Sequence, residues 1–220
     1  MKNLKVTDVS KKFGIKSVLD NVSLELTTGT IIGIFGRNGS GKSTLLKIIF
    51  GLVKADSGLL EIDGDPISPK QVIPQKSIAY LPQDNFLPLG LKVRDVIPIY
   101  YKSGEQQDKI FYTKGIHNIA NKKIAALSAG EIRYLQLLLI GNLQHPFLML
   151  DEPFSMIDPI YREHIAAYLI DLKLTKGIII TDHYYHDVLR ITDTNFVIKD
   201  GIRYAVNDIR DLGEAGYLRK

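Results

Sequence analysis

The sequence predicts an α/β fold, a mostly parallel sheet covered on both faces by helices. Three observations lead there. Short unbroken apolar runs, Thr30-Ile31-Ile32-Gly33-Ile34-Phe35, Phe147-Leu148-Met149-Leu150 and Gly177-Ile178-Ile179-Ile180-Thr181, read as strands buried on both faces. Helix-length amphipathic stretches alternate with them, as crossover connections between parallel strands require. The stretch Gly36-Arg37-Asn38-Gly39-Ser40-Gly41-Lys42-Ser43-Thr44 sits between the first of those strands and the helical run Leu45-Leu46-Lys47-Ile48-Ile49-Phe50.

That stretch fits G-x-x-x-x-G-K-[ST], the phosphate-binding P-loop, in the strand-to-helix setting the motif needs. Backbone N–H groups turn inward around an anion, and the helix N-terminus behind them adds partial positive charge. Gly36, Gly39 and Gly41 allow close backbone approach, and Asn38, Ser40 and Thr44 complete the cradle. Lys42 is placed to reach the β- and γ-phosphates, and the Ser43 hydroxyl to face Mg2+. The loop predicts a nucleotide site; alone it leaves kinase, GTPase, helicase and transport motor open.

A length of 220 residues suits one large domain, and an apolar share of 45% suffices for a sizeable core and argues against global disorder. The absence of cysteine excludes disulfides, thiolate chemistry and cysteine-type zinc sites. Residues 1–8 hold no apolar signal region, and the richest apolar stretch, 135–150, is interrupted by Gln136, Gly141, Asn142, Gln144, His145 and Pro146. The expectation is a soluble, cytoplasmic chain. A net charge of +4 is mild: it permits an anionic partner such as a membrane face or nucleic acid, but reads first as scattered surface lysine.

Taken in order, residues 4–9 alternate as a strand, 17–20 read as a turn, and 22–26 alternate again before the turn Thr27-Thr28-Gly29. The loop helix ends near Gly51; 58–62 is a strand closed by Asp63-Gly64, and 77–81 is a strand stopped by Pro82. From 83 to 145 strand signals fade: 93–101 reads as a short helix, 102–123 is polar, and 132–143 is a strong helix. After the strand ending at Leu150, Asp158-Pro159 opens a helix over 159–174. The strand 177–181, a helix over 184–191, a hairpin of 195–199 with 202–206 around Asp200-Gly201, and a short polar tail from 207 complete the chain.

A P-loop ATPase needs a carboxylate for Mg2+ and a group to orient the attacking water. Leu148-Met149-Leu150-Asp151-Glu152 supplies both at a strand's C-terminal end, Asp151 facing the metal and Glu152 the water. With these in place, the chain resembles the ATP-binding cassette (ABC) ATPases. Leu127-Ser128-Ala129-Gly130-Glu131 resembles their LSGGQ signature, Gln83 their Q-loop glutamine, Ser155-Met156-Ile157-Asp158 their D-loop, Thr181-Asp182-His183 their H-loop, and Phe13 their adenine-stacking aromatic.

The resemblance implies one cassette domain over 1–220. Its catalytic core would take 1–82 and 146–220, with an antiparallel β subdomain, and its helical signature subdomain 83–145. It implies ATP and Mg2+ as cofactors, Gln83 as a contact of both, and His183 as a catalytic partner of Glu152 at the γ-phosphate. It further implies a dimer, here read as a homodimer, in which Ser128 and Gly130 of one chain meet the ATP on the P-loop of the other. A separate membrane subunit would carry the transport path, placing the chain at the inner face of the membrane, with no nucleic acid as partner.

Bland readings stand beside some of these: a core aromatic for Phe13, a helix cap for Ser128 with Glu131 and for Asp158. Ala129 replaces the family's glycine, and Glu131 its common glutamine; Glu131 is similar to the lipopolysaccharide-export and branched-chain amino-acid ATPases. The apolar stretch Phe86-Leu87-Pro88-Leu89-Gly90-Leu91, with Val96, Ile97, Ile99, Tyr100 and Tyr101, is expected to line a groove for a helix of the membrane subunit. A soluble ABC ATPase of translation, DNA repair or cluster assembly is the alternative function; the second cassette or long coiled coil usual there is not visible.

Overall fold

The computed structural model describes residues 1–217. Strands β1 (Asn3–Phe13) and β2 (Lys16–Thr27) form a long antiparallel pair, joined at Gly14 and Ile15. The turn expected at 17–20 is therefore part of β2. Asp8 and Asn21 both have φ 51°, and the β1–β2 register shifts between Val6 and Val9 and again between Val9 and Lys11. The polar cluster around Asp20 marks a kink in a continuing strand, not its end.

Strand β3 (Ile31–Phe35) leads into helix α1 (Lys42–Ile49). Strand β4 (Ser57–Ile62) returns to pair with β1, and the short β5 (Asp65–Pro66) pairs with β4, giving an antiparallel sheet of order β2-β1-β4-β5. After the one-turn helix α2 (Pro69–Val72) comes β6 (Ile78–Leu81). Four helices then follow without a strand: α3 (Val93–Tyr100), α4 (Gly104–Phe111), α5 (Ile116–Ile119) and α6 (Ala129–Gly141). The polar stretch 102–123 is folded around its few apolar residues, with Ile110, Ile116 and Ile119 buried.

Strand β7 (Phe147–Asp151), helix α7 (Pro159–Lys173), strand β8 (Gly177–Thr181) and helix α8 (Tyr185–Ile191) restore the alternation. Strands β9 (Thr194–Lys199) and β10 (Ile202–Val206) form the expected hairpin. The tail holds one more helix, α9 (Ile209–Glu214), started by an Asp208–Asp211 capping box and anchored by buried Leu212.

The main sheet has the order β10-β9-β3-β8-β7-β6, parallel throughout except for β10 at its edge. Its side chains divide with period two. Ile32, Ile34, Met149 and Ile179 enter the core shared with the antiparallel sheet and α1. Ile31, Phe35, Leu148, Leu150, Ile178 and Ile180 enter the core shared with α3, α6, α7 and α8. Both faces are dry, which is why these strands read as unbroken apolar runs. Because β3, β8, β7 and β6 are parallel neighbours, their C-terminal ends line up along one edge, where ligands sit in open α/β sheets. Among the described residues no helix is long and apolar enough to cross a membrane.

Candidate functional site at the parallel strand ends

The four strand ends deliver four loops in spatial order. β3 carries 36–44, β8 carries His183, β7 carries Asp151 and Glu152, and β6 carries Gln83. They open on a cleft of about 580 Å3 lined by residues 38–44, Gln83, Glu152 and His183, with Phe13, Lys16 and Val18 from the antiparallel sheet on its far wall. Phe13 is 53% exposed and has the Lys11 ammonium 5.3 Å from its ring centre, so it is not the core aromatic of the bland reading.

The loop's shape depends on glycine at its two ends. Gly36 has φ 154°, and a Cβ there would fall 2.3 Å from Ser40 Oγ and 2.7 Å from the Ile198 carbonyl. Gly41 has φ 108°, and a Cβ would fall 2.7 Å from the Val18 carbonyl. Lys42 folds back inside the loop, donating to the Gly36 carbonyl at 2.7 Å and the Arg37 carbonyl at 3.4 Å. Burial pulls its pKa below the ordinary 10.5, while Glu152, Asp151 and Asp182 oppose that fall.

Asp151 is buried and both of its oxygens accept hydrogen bonds. Ser43 Oγ donates to Oδ1 at 3.0 Å, Thr181 Oγ1 to Oδ1 at 2.7 Å, and Tyr80 OH to Oδ2 at 3.0 Å. Burial, then the neighbouring carboxylate, pushes the Tyr80 phenol far above its ordinary range, so it stays a donor. Glu152 stands at φ 56°, in the left-handed region that non-glycine residues seldom adopt, pinned by its own N–H to the Thr181 carbonyl at 2.7 Å. Its Oε2 accepts from Gln83 Nε2 at 2.9 Å, and its Oε1 lies 3.3 Å from His183 Nε2, close but off hydrogen-bond alignment.

Ser128 and Gly130 lie outside this cleft. Ser128 caps α6 by accepting from the Glu131 N–H at 3.1 Å, and the Glu131 carboxylate accepts from the Ser128 N–H at 2.7 Å. Ser128 and Ala129 are exposed. Gly130 is buried against α7, where a Cβ would come 2.9 Å from the Tyr161 ring. Asp158 caps α7, accepting from the Ile160 and Tyr161 N–H groups.

Three residues hold the site through contacts that the sequence did not show. Tyr80 and Thr181 were visible as strand members, but their hydroxyls find Asp151 only once β6, β7 and β8 are neighbours. Asp182 is fully buried and accepts from Phe154 N at 2.6 Å, His183 N at 2.7 Å, Tyr184 N at 3.0 Å and Ser155 Oγ at 3.1 Å. Burial raises its pKa, and those four donors pull the other way. It ties the segment after Glu152 to the one carrying His183.

A protein-family model described as ABC transporter matches residues 19–155. The chain is 33% identical over 204 residues to a probable ABC transporter ATP-binding protein of Azorhizobium caulinodans, covering 88% of this chain and 73% of that one. It is 30% identical over 215 residues to the lipopolysaccharide export system ATP-binding protein LptB of Haemophilus influenzae, covering 91% and 88%. Among solved structures it resembles a nucleotide-free ATP-binding cassette from an ABC transporter, with TM-score 0.84 and 22% identity over 99% of this chain and 96% of that one. It also resembles the ADP conformation of MJ1267, an ATP-binding cassette of an ABC transporter, with TM-score 0.79 and 25% identity over 93% and 90%.

Proposed function

The chain belongs to the ABC transporter family, and from that premise we propose that it is the ATP-binding and ATP-hydrolysing subunit of a transporter whose membrane path lies in a separate protein. The observation that carries this is the convergence of Lys42, the Ser43–Asp151 pair and the Gln83–Glu152–His183 group on one cleft at adjacent parallel strand ends.

In this reading the phosphates of ATP lie over residues 36–44, met by backbone N–H groups, the N-terminus of α1 and the Lys42 ammonium. Adenine stacks on Phe13. Phe13→Ala is expected to weaken ATP binding by about 1–3 kcal/mol, roughly 5–150-fold, in a fluorescent-nucleotide titration. An unchanged affinity would remove Phe13 from the site. The donor set fits Mg2+: the Ser43 hydroxyl and an Asp151 oxygen, already 3.0 Å apart, with the Gln83 amide oxygen and the phosphates, are the hard oxygen ligands that ion takes. Bound there, Mg2+ would neutralise charge developing on the transferred phosphoryl group. Glu152 orients and deprotonates the attacking water, and His183, whose Nε2 lies 3.3 Å from Glu152, faces the γ-phosphate.

The cleft is completed by a second copy. Ser128 is exposed at the N-terminus of α6 and does not line the cleft of its own P-loop, as a γ-phosphate site for a neighbour requires. Capping and phosphate recognition share this geometry. Docking on the membrane subunit is assigned to the helical side. Of the apolar residues expected there, Leu87, Val96, Ile97 and Tyr101 are buried in the helical block, while Leu89, Leu91 and Ile99 remain exposed. Near the other end of α3 a cleft of about 480 Å3 is lined by Tyr100, Lys76, Gln106, Gln144 and His145, among others, and suits a short amphipathic helix with a polar face.

The chain would then work in the cytoplasm, against the inner face of the membrane. Affinity purification from native membranes tests this. A polytopic membrane protein is expected to co-purify; recovery with ribosomes or DNA alone would overturn the transport reading.

A further inference from the structure

Helix α6 buries two polar side chains one turn apart, Arg133 at 6% exposure and Gln136 at 1%. The Arg133 guanidinium is forked between two backbone carbonyls. Nη1 donates to the Pro82 carbonyl at 2.5 Å, and Nη2 donates to the Asp151 carbonyl. Pro82 and Asp151 are the residues immediately before Gln83 and Glu152, which bond each other across the cleft at 2.9 Å. Gln136 extends the contact: its amide donates to Asn85 Oδ1 at 2.9 Å, and that oxygen also accepts from the Leu87 N–H at 2.9 Å.

A buried cation is a poor choice for stability alone, since an apolar side chain of similar volume fills such a place at equal or lower cost. Burial draws the Arg133 pKa down to about 10, with Asp182, Asp151 and Glu152 opposing, so the guanidinium stays charged at neutral pH. What the planar fork supplies, and a packed Leu or Met would not, is a fixed spacing between two strand ends.

We infer that Arg133 is a positioning residue for hydrolysis: it clamps the backbone from which Gln83 and Glu152 project, and ties both to the helix that Ser128 caps. This rests on the reading of Glu152 and Ser128 given above. Ser128 is exposed at the cap of α6, where that reading puts a neighbour's nucleotide, and Arg133 on the same helix holds the water-orienting pair of its own cleft. Docking of α6 on one ATP is thereby transmitted to the geometry around the other.

The test uses the purified full chain with Arg133→Met, Arg133→Lys and wild type, measuring nucleotide affinity, melting temperature and ATPase kcat and KM. Arg133→Met is expected to keep nucleotide affinity and KM while kcat falls on the order of 10²-fold, the size of effect a small misplacement of reacting groups produces. Arg133→Lys, whose single ammonium cannot span both carbonyls as the fork does, is expected to fall between Arg133→Met and wild type. In a Glu152→Gln background, Arg133→Met should cost less than about twofold further in single-turnover rate, because residues acting as a unit are non-additive.

Full kcat in Arg133→Met, or equal further loss in the Glu152→Gln background, would overturn the proposal while leaving the cleft's function standing. Should Arg133→Met not fold, a wild-type kcat in Arg133→Lys would overturn it and a lowered kcat at unchanged affinity would support it. A wild-type chain that hydrolyses no ATP would overturn the reading of the cleft itself, and this inference with it.

Discussion

Glu152→Gln is expected to bind ATP as wild type does and to hydrolyse it 10²–10⁴-fold more slowly, the range for removal of a general base. The substitution keeps volume and keeps an oxygen for the Gln83 amide, whose bond to Glu152 is 2.9 Å long. Among the described residues, it removes the one carboxylate that lines the cleft beside His183. The neighbouring Asp151 offers no substitute, because its oxygens already accept from Ser43, Thr181 and Tyr80. The backbone argues in the same direction. Glu152 is held at φ 56°, a conformation that costs about 1–3 kcal/mol for a residue with a side chain. Such strain is kept where the surrounding structure fixes a side chain's aim, and here the Thr181 carbonyl and Gln83 do so. Steady-state turnover and an equilibrium nucleotide titration on the same preparation separate the two effects. Near-normal turnover would remove Glu152 from its role.

How much of this was legible before folding depends on the range of each interaction. The P-loop, the Asp151-Glu152 pair and the Ser128–Glu131 box are local patterns, and each appears where its spacing puts it. The parallel strands were legible because burial on both faces leaves no alternation to misread. The turn expected at 17–20 failed for the reason that polar residues serve a kinked strand as well as a turn: Asn21 takes φ 51° while β2 continues past it to Thr27. Helix α9 was hidden because one buried residue, Leu212, anchors it, too few for a period to show. Tyr80 and Arg133 were illegible for a deeper reason. Tyr80 lies 71 residues from Asp151 and Arg133 lies 51 from Pro82, so their partners are set by sheet order and by how α6 packs, neither of which a linear pattern encodes.

Lys42→Ala is expected to fail at the opposite stage, losing nucleotide affinity while leaving the unliganded fold intact. Lys42 is 5% exposed and its ammonium is bonded to the Gly36 carbonyl at 2.7 Å, a neutral partner for a buried charge. Its pKa is lowered, so folding disfavours its charged form. For a base with a lowered folded pKa, that penalty is fully present below the lowered value, and is relieved only as pH rises through it toward 10.5. Removing the ammonium lifts the penalty and frees the two loop carbonyls it bonds, those of Gly36 and Arg37, so the melting temperature at neutral pH should hold or rise. Binding has the reverse sign. A phosphate oxygen would replace the neutral carbonyl as partner, and a hydrogen bond to a charged group is worth about 1.5–3 kcal/mol. Lys42→Ala should therefore raise the Kd for ATP by roughly 10–150-fold, with the remaining affinity supplied by the loop N–H groups and the N-terminus of α1. Thermal melting with and without ATP reads both halves at once: an unchanged or higher Tm without nucleotide, and a smaller upward shift with it. A variant that melts early without ATP would mean that Lys42 holds the loop together; one that binds as wild type does would mean that the backbone cradle suffices. The contrast with Glu152→Gln is the sharper test of the site, because two residues lining one cleft are assigned opposite kinetic signatures, binding without turnover for one and weakened binding for the other.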